Sequence, residues 1–222
     1  MAHVVSVNVG AERPNAAKDT PTGIHKRPVE MIELRRPGSK HGGLGSGVVG
    51  DFIGDRQHHG GDYQAVYAVS REELDWWGKE LGRHLDDGMF GENLTTTGID
   101  IDHALIGARW QVGDAVVLRV EGPRIPCGTF RMHMGEAGWL KRFVDHGLSG
   151  AYLSVERPGF VRPGETIAVL SRPDHAIDVP TVFRAFYDDV EAMREVIEAG
   201  VLSDSEETAA LEARLERLNR RR

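Results

Sequence analysis

A single cysteine, Cys127, stands in a chain of 222 residues. One thiol excludes an intrachain disulfide, a cysteine-rich zinc site and an iron–sulfur cluster held by the chain's own cysteines. Positive charge is also scarce: 27 Lys plus Arg face 34 Asp plus Glu, a net charge of -7 with histidine neutral. Nucleic-acid binders normally show a basic face or a high isoelectric point, so that class is set aside. No apolar run approaches the ~18 residues of a membrane span. Residues Met1 to Val7 lack the basic flank and cleavage site of a signal peptide and read as a first strand. The expectation is a soluble, cytoplasmic protein. Hydrophobic residues make up 40% of the chain, enough for a core and too many for disorder.

Glycine and proline divide the chain. Of 27 glycines, 26 lie before residue 173, and no proline follows Pro180. From Asp174 onward 12 acidic and 7 basic side chains accompany a helical composition. A boundary is therefore expected near Arg172-Pro173-Asp174, with a domain over 1–173 and a helical extension of two to three short helices over 174–222. In the first part, short apolar runs bounded by turn residues predict a mainly β domain, a barrel or a sandwich. Strands are expected at Val4–Val9, Val29–Leu34, Gln64–Val69, Ala115–Val120 and Thr166–Leu170. The stretches from Trp110 and from Phe160 look alike, each an aromatic residue, a Gly-acid turn and a strand, which suggests a shared hairpin type.

Two helices should interrupt this pattern. Ser70-Arg-Glu-Glu73 reads as a capping box ahead of Leu74, Trp77 and Leu81, with Gly82 as the stop. A second helix is expected at Glu136–Asp145. In the extension, Phe183, Phe186, Val190, Met193 and Ile197 predict one amphipathic helix ended by Gly200. Ser203-Asp-Ser-Glu206 then caps another carrying Leu211, Leu215 and Leu218. Short helices with one apolar stripe each do not fold alone, so they must pack on the barrel, on each other or on a second subunit.

The segment Gly122-Pro-Arg-Ile-Pro-Cys127-Gly-Thr-Phe-Arg131 is the richest in chemistry. Pro123 and Pro126 stiffen an extended approach to a turn, where Cys127 would begin a short helical stretch. Near a helix N-terminus, Arg124 and Arg131, its thiol should ionise readily and serve as nucleophile or soft-metal ligand; the plain alternative is a small buried apolar residue. His58-His59-Gly60-Gly61-Asp62 reads either as a backbone that approaches a ligand closely or as a polar turn. Phe90-Gly91-Glu92-Asn93-Leu94-Thr95 can fix a ligand or brace its own loop. Lys26 and Arg27 are a candidate phosphate pair or simply solvated cations. Gly42–Gly47 lacks the ending of a P-loop. No serine nucleophile elbow, His-Glu-x-x-His or dinucleotide fingerprint occurs. The residues alone therefore stop at a β-barrel enzyme or binder with one exposed thiol.

These segments also occur in a known order. Lys26 in Thr22-Gly-Ile-His-Lys26, Gly50-Asp51, His59-Gly60-Gly61-Asp62, Phe90-Gly91-Glu92-Asn93-Leu94, Ile106-Gly107 and Pro123-Arg124-Ile-Pro126-Cys127 resemble MOSC domains, the molybdenum-cofactor sulfurase C-terminal-like family. The likeness spans about residues 3–215 and is to the YiiM-like branch, a MOSC β-barrel with a small C-terminal helical extension. It implies a molybdenum cofactor ligated by Cys127, with Arg124, Lys26 and Arg131 against the pterin phosphate. His59, Gly60, Gly61, Glu92 and Asn93 would then line the cofactor and substrate pocket, with Cys127, His59 and Glu92 as the catalytic set. The implied activity is reduction of N-hydroxylated compounds such as hydroxylaminopurines or amidoximes, with electrons from an external flavin or iron–sulfur donor. Alternatives are a non-catalytic carrier of the cofactor, a carrier of sulfur as a Cys127 persulfide, and a thiol hydrolase, for which His133 is the histidine nearest in sequence. The family is also loosely associated with pyridoxal phosphate. Many relatives carry lysine two positions after the cysteine, where this chain has Thr129; Arg131 is the expected substitute. The apolar stripes of the tail favour a homodimer, and no nucleic-acid or membrane partner is expected.

Overall fold

The computed structural model describes residues 1–220, so the last two positions of the expected extension lie outside it. Ten strands occur in chain order: β1 His3–Gly10, β2 Lys26–Val29, β3 Ile32–Leu34, β4 Val66–Ser70 and β5 Leu94–Thr97, then β6 Arg109–Val112, β7 Val116–Pro123, β8 Ala151–Arg157, β9 Gly159–Val161 and β10 Ile167–Ser171. Eight of them form one sheet in the order β10-β6-β7-β8-β4-β5-β1-β2, and β3 pairs with β9 apart from it. Only β4 and β5 run parallel. The sheet returns on itself as a barrel does. Val4 N donates to Glu165 O (2.9 Å) and Ile167 N to Ala2 O (2.9 Å), which joins β1 to the chain entering β10. The wall is filled by alternating apolar residues, among them Val4, Val66, Ala68, Leu118, Val120 and Leu153, all fully buried.

Two sequence expectations change here. Val29–Leu34 is not one strand: the chain breaks at Glu30 and Met31, so β2 extends β1 while β3 joins β9. The two similar stretches also diverge. β6 and β7 are a true antiparallel hairpin, whereas β9 and β10 belong to different sheets.

Six helices accompany the sheet. α1 Arg71–Leu81 starts on Ser70, whose Oγ accepts from Glu73 N at 3.1 Å, and stops at left-handed Gly82. The reciprocal half of the expected capping box is missing, because the Glu73 carboxylate contacts His146 Nε2 instead (2.6 Å). α2 Gly128–Met134 and α3 Trp139–His146 pack with α1 through a second, aromatic cluster of Trp77, Phe90, Phe130, Trp139 and Phe143.

The extension holds α4 Val179–Ala185, α5 Val190–Ala199 and α6 Ser205–Asn219. The single helix expected over Phe183 to Ile197 is two. The break falls at Phe186 to Asp189, where Asp188 takes a positive φ and Asp189 Oδ1 restarts the helix by accepting from Glu191 N and Ala192 N. Val179, Val182, Met193, Val196 and Leu211 enter the same apolar cluster as the barrel wall, with Leu215 and Leu218 packed against it. The stripes on which the homodimer expectation rested are thus covered within the chain. Among the described residues no helix is long and apolar enough to cross a membrane.

Candidate active site

A cavity opens where the ends of β4, β7 and β8 meet the loops after β1, β3 and α1. Lys26, Asp51, His59, Gly60, Tyr67, Asn93, Arg124, Cys127 and Tyr152 all contribute to its lining. β7 delivers two of these residues. It runs out at Pro123, and Pro126 keeps the chain extended until Cys127, the residue that caps α2 with an extended backbone. Phe130 on α2 then locks the turn into the aromatic cluster, its ring against Phe90, Trp139 and Phe143 at 5.2 to 5.3 Å.

Cys127 is half-buried and faces the cavity. Burial by itself raises a thiol, but here it is outweighed. A hydrogen bond with His59, the Arg124 guanidinium and the Phe130 backbone N–H bring the thiol down to about 6. At neutral pH the sulfur is therefore an anion. The two adjacent histidines separate: His58 is exposed and contacts Asp55 (3.0 Å), while His59 turns to Cys127. His133 is not the neighbour of the thiol. Its Nε2 contacts Met89 O (2.9 Å), its ring meets His25 edge-on, and burial together with His25 holds it down at about 4.

Arg124 is 6% exposed and, among the described residues, has no carboxylate partner. The guanidinium lies 3.5 Å from the centroid of the Phe130 ring and 5.7 Å from that of Tyr67. Its Nη1 is buried without a partner. The ionised Cys127 offsets part of the Arg124 charge, and the unpaired N–H can still take a further acceptor. Lys26 differs. It forms a buried ion pair with Asp51 (2.6 Å), and Asp51 also accepts from Gly10 N, Ser46 Oγ and Asn93 Nδ2.

Three expected site residues are not cavity groups as anticipated. Glu92 is fully buried, and its carboxylate accepts from Gly88 N, Phe90 N (2.9 Å) and Thr95 Oγ1 (2.9 Å), so it braces its own loop. Burial nevertheless pushes it up to about 7. Arg131 is exposed on α2 and lies outside the lining, so it does not replace the lysine absent at Thr129. Thr129 itself lines the cavity and accepts from Asn15 Nδ2 (3.0 Å). Gly61 backs the lining: it has positive φ, and a Cβ there would lie 2.6 Å from Lys40 N. Gly60 does line the cavity, with the same left-handed demand. Asn93 lines it too, though its amide is fully used by Asn8 O, Asp51 and Tyr67 N. The lining residues missed by sequence reasoning include Tyr67, Tyr152 and Gln64. No local pattern marks them; Tyr67 and Tyr152 reach the site by the pairing of β4 with β8, and Gln64 by the short 3-10 turn Asp62–Gln64 that precedes β4.

The sequence pattern of the MOSC domain matches residues 55–168. Over 208 residues, 91% of this chain and 90% of the relative, the chain is 31% identical to the uncharacterized protein YflK of Bacillus subtilis (strain 168). It is 33% identical over 131 residues to a protein of Gibberella moniliformis named Reductase, covering 58% of this chain and 23% of that protein. The crystal structure of YiiM from Geobacillus stearothermophilus shares the fold, with a TM-score of 0.76 at 23% identity over 97% of this chain and 100% of that one. With its barrel, its Pro-Arg-x-Pro-Cys turn and these matches, the chain belongs to the MOSC domain family.

Proposed function

We propose that the chain is a molybdenum-cofactor-dependent reductase of N-hydroxylated compounds such as hydroxylaminopurines and amidoximes. The observation that supports this reading most is one cavity faced by both an ionised Cys127 and Arg124, whose Nη1 has no hydrogen-bond partner among the described residues. The donor set fits the group. A thiolate suits a soft, sulfur-rich metal centre, and a guanidinium with an open N–H suits a pterin phosphate. Among the described residues no three His, Cys, Asp or Glu side chains gather as a metal site, so Cys127 is the protein's contribution to the metal. Lys26 is held by Asp51, which leaves Arg124 as the anion partner. Lys18 and Lys26, the lysines of the lining, are each paired with an aspartate, which argues against carbonyl chemistry of the pyridoxal type.

When bound, the cofactor supplies two-electron chemistry at the N–O bond. The net reaction converts R–NHOH, two electrons and two protons into R–NH2 and water. The chain's own residues do the rest. His59 and Tyr152 border the cavity beside Cys127 and Arg124, where a proton has to reach the departing oxygen. The Tyr152 hydroxyl is raised by burial and keeps its proton at neutral pH. An external flavin or iron–sulfur protein must deliver the electrons. The fungal relative named Reductase is consistent with this class.

The test is direct. The protein is expressed with molybdate, its bound molybdenum measured, and 6-hydroxylaminopurine offered with an artificial electron donor. Molybdenum near one atom per chain and turnover are expected, both lost in Cys127→Ala with the fold retained. Full turnover in that variant overturns the proposal. The contact of His59 with the ionised thiol also suits a second reading, a sulfur or cofactor carrier. Molybdenum without turnover, or a Cys127 persulfide without molybdenum, would favour it.

A further inference from the structure

Between β1 and β2 the chain leaves the barrel as a narrow excursion over residues 13–22. Its neck is an antiparallel bridge, in which Arg13 N donates to Thr22 O (3.0 Å) and Thr22 N to Arg13 O (2.8 Å). The base below the neck is fixed by backbone contacts that leave no room for a side chain. A Cβ at Gly10 would lie 1.9 Å from Gly23 O, and one at Gly54 would lie 1.8 Å from Pro21 O. Beyond the neck the character changes. Residues 14–20 are exposed apart from half-buried Asn15, and none of them enters either apolar cluster. Yet this tip borders the cavity through Asn15 and Lys18. Among the described residues two ties hold it there, one on each side. Asn15 Nδ2 donates to Thr129 Oγ1 (3.0 Å) at the start of α2, and Lys18 Nζ pairs with Asp55 on the loop that carries His59. One neutral hydrogen bond and one partly exposed ion pair are both weak.

The cavity beneath the tip is small. It holds about 110 Å³, whereas pockets for small organic ligands begin at about 300 Å³. A wall must therefore move before a pterin can enter. Tyr67 and Tyr152 stand on paired strands, and Phe90 is fully buried in the aromatic cluster, so those walls are fixed. We infer that residues 13–22 form a strap that swings about the Arg13–Thr22 neck to open the cavity to a pterin-sized ligand, with Asn15–Thr129 and Lys18–Asp55 as its two latches. The identity of the ligand rests on the functional reading above; the neck and the latches do not.

Lys18 is the one residue of the strap after which trypsin cuts, because Arg13 precedes Pro14. The full chain, produced in cells unable to make molybdopterin, is exposed briefly to trypsin, and cleavage after Lys18 is followed by mass. Asn15→Ala and Thr129→Val each undo one latch while leaving Lys18 on Asp55. Cleavage should rise about fivefold in both, the effect of losing one hydrogen bond. Thr20→Ala, which touches neither latch, is the control and should be cut at the native rate. Uptake of free molybdenum cofactor, read as bound molybdenum after gel filtration, should be faster in Asn15→Ala than in the native chain. Native cleavage rates in both latch variants, with unchanged circular dichroism and Tm, overturn the inference. So does faster cleavage with a native uptake rate, which would mean a loose loop that gates nothing. A native chain that takes up no molybdenum removes the reductase reading instead, and faster cleavage in the two variants then still upholds the strap.

Discussion

Arg124 sits in a setting that favours a bound anion over the free protein. Its guanidinium rests on Phe130 with one buried N–H unpaired. Replacing a whole buried ion pair by apolar residues is often neutral to stabilising, by ~1–4 kcal/mol. Here the thiol can regain its proton once the guanidinium is gone, so no buried charge is stranded. Arg124→Met should therefore raise the Tm of the cofactor-free chain while lowering the molybdenum retained on purification. A falling Tm in differential scanning fluorimetry would contradict this account of the cavity. Glu92 supplies a pH dependence of defined sign. Its folded value of about 7 exceeds the ordinary 4.5, so between those values the folded state keeps a proton that the unfolded chain releases. Its contribution is complete below 4.5 and is lost as pH rises through 7, ~3 kcal/mol at ~1.4 kcal/mol per unit. Urea titrations at pH 5 and pH 7.5 should show the native chain losing stability relative to Glu92→Gln, whose neutral amide stands in for the protonated acid, at the higher pH. A difference independent of pH would show that Glu92 is ionised throughout.

Among the elements, α2 matters most, because seven residues cannot sustain a helix alone. Two prolines, a cysteine and a glycine mark where it begins, and that much is readable locally. What keeps it is the insertion of Phe130, fully buried, among rings supplied by α3 and by the loop after α1. Phe130→Ala should cost ~3–5 kcal/mol in urea unfolding, as aromatic-to-alanine changes in packed cores do. A cost under 1 kcal/mol would mean that α2 is held by something else. α1 shows the limit of a local motif. Ser70 caps it as the capping box requires, yet Glu73 turns to His146, because a buried carboxylate next to an imidazole gains more there than at the helix start. The strand expected over Val29–Leu34 fails for a related reason. Its apolar pattern is right on both sides of Met31, but β-partners come from distant segments, and β1 and β9 claim its two halves separately.

For the whole molecule, the extension completes the core. Val179, Val182, Met193, Val196 and Leu211 are buried against residues of the barrel wall. A chain ended at residue 173 would expose the matching apolar surface, and it is expected to lose a cooperative thermal transition in circular dichroism. A soluble fragment with a sharp melt would show that the barrel is self-sufficient. The same packing removes the free apolar stripes that pointed to a homodimer.

Periodicity, turn residues and composition are local, and they were enough for the β character of residues 1–173, the start of α1, the position of Cys127 ahead of a short helix, and the ordered motifs that mark the family. Partnership is not local. Which histidine lies beside the thiol and why Lys26 is held by a carboxylate while Arg124 rests on a ring both depend on contacts between residues far apart in the chain. Such contacts exist only once strand pairing and helix packing have brought the segments together, so the tertiary structure alone decided them.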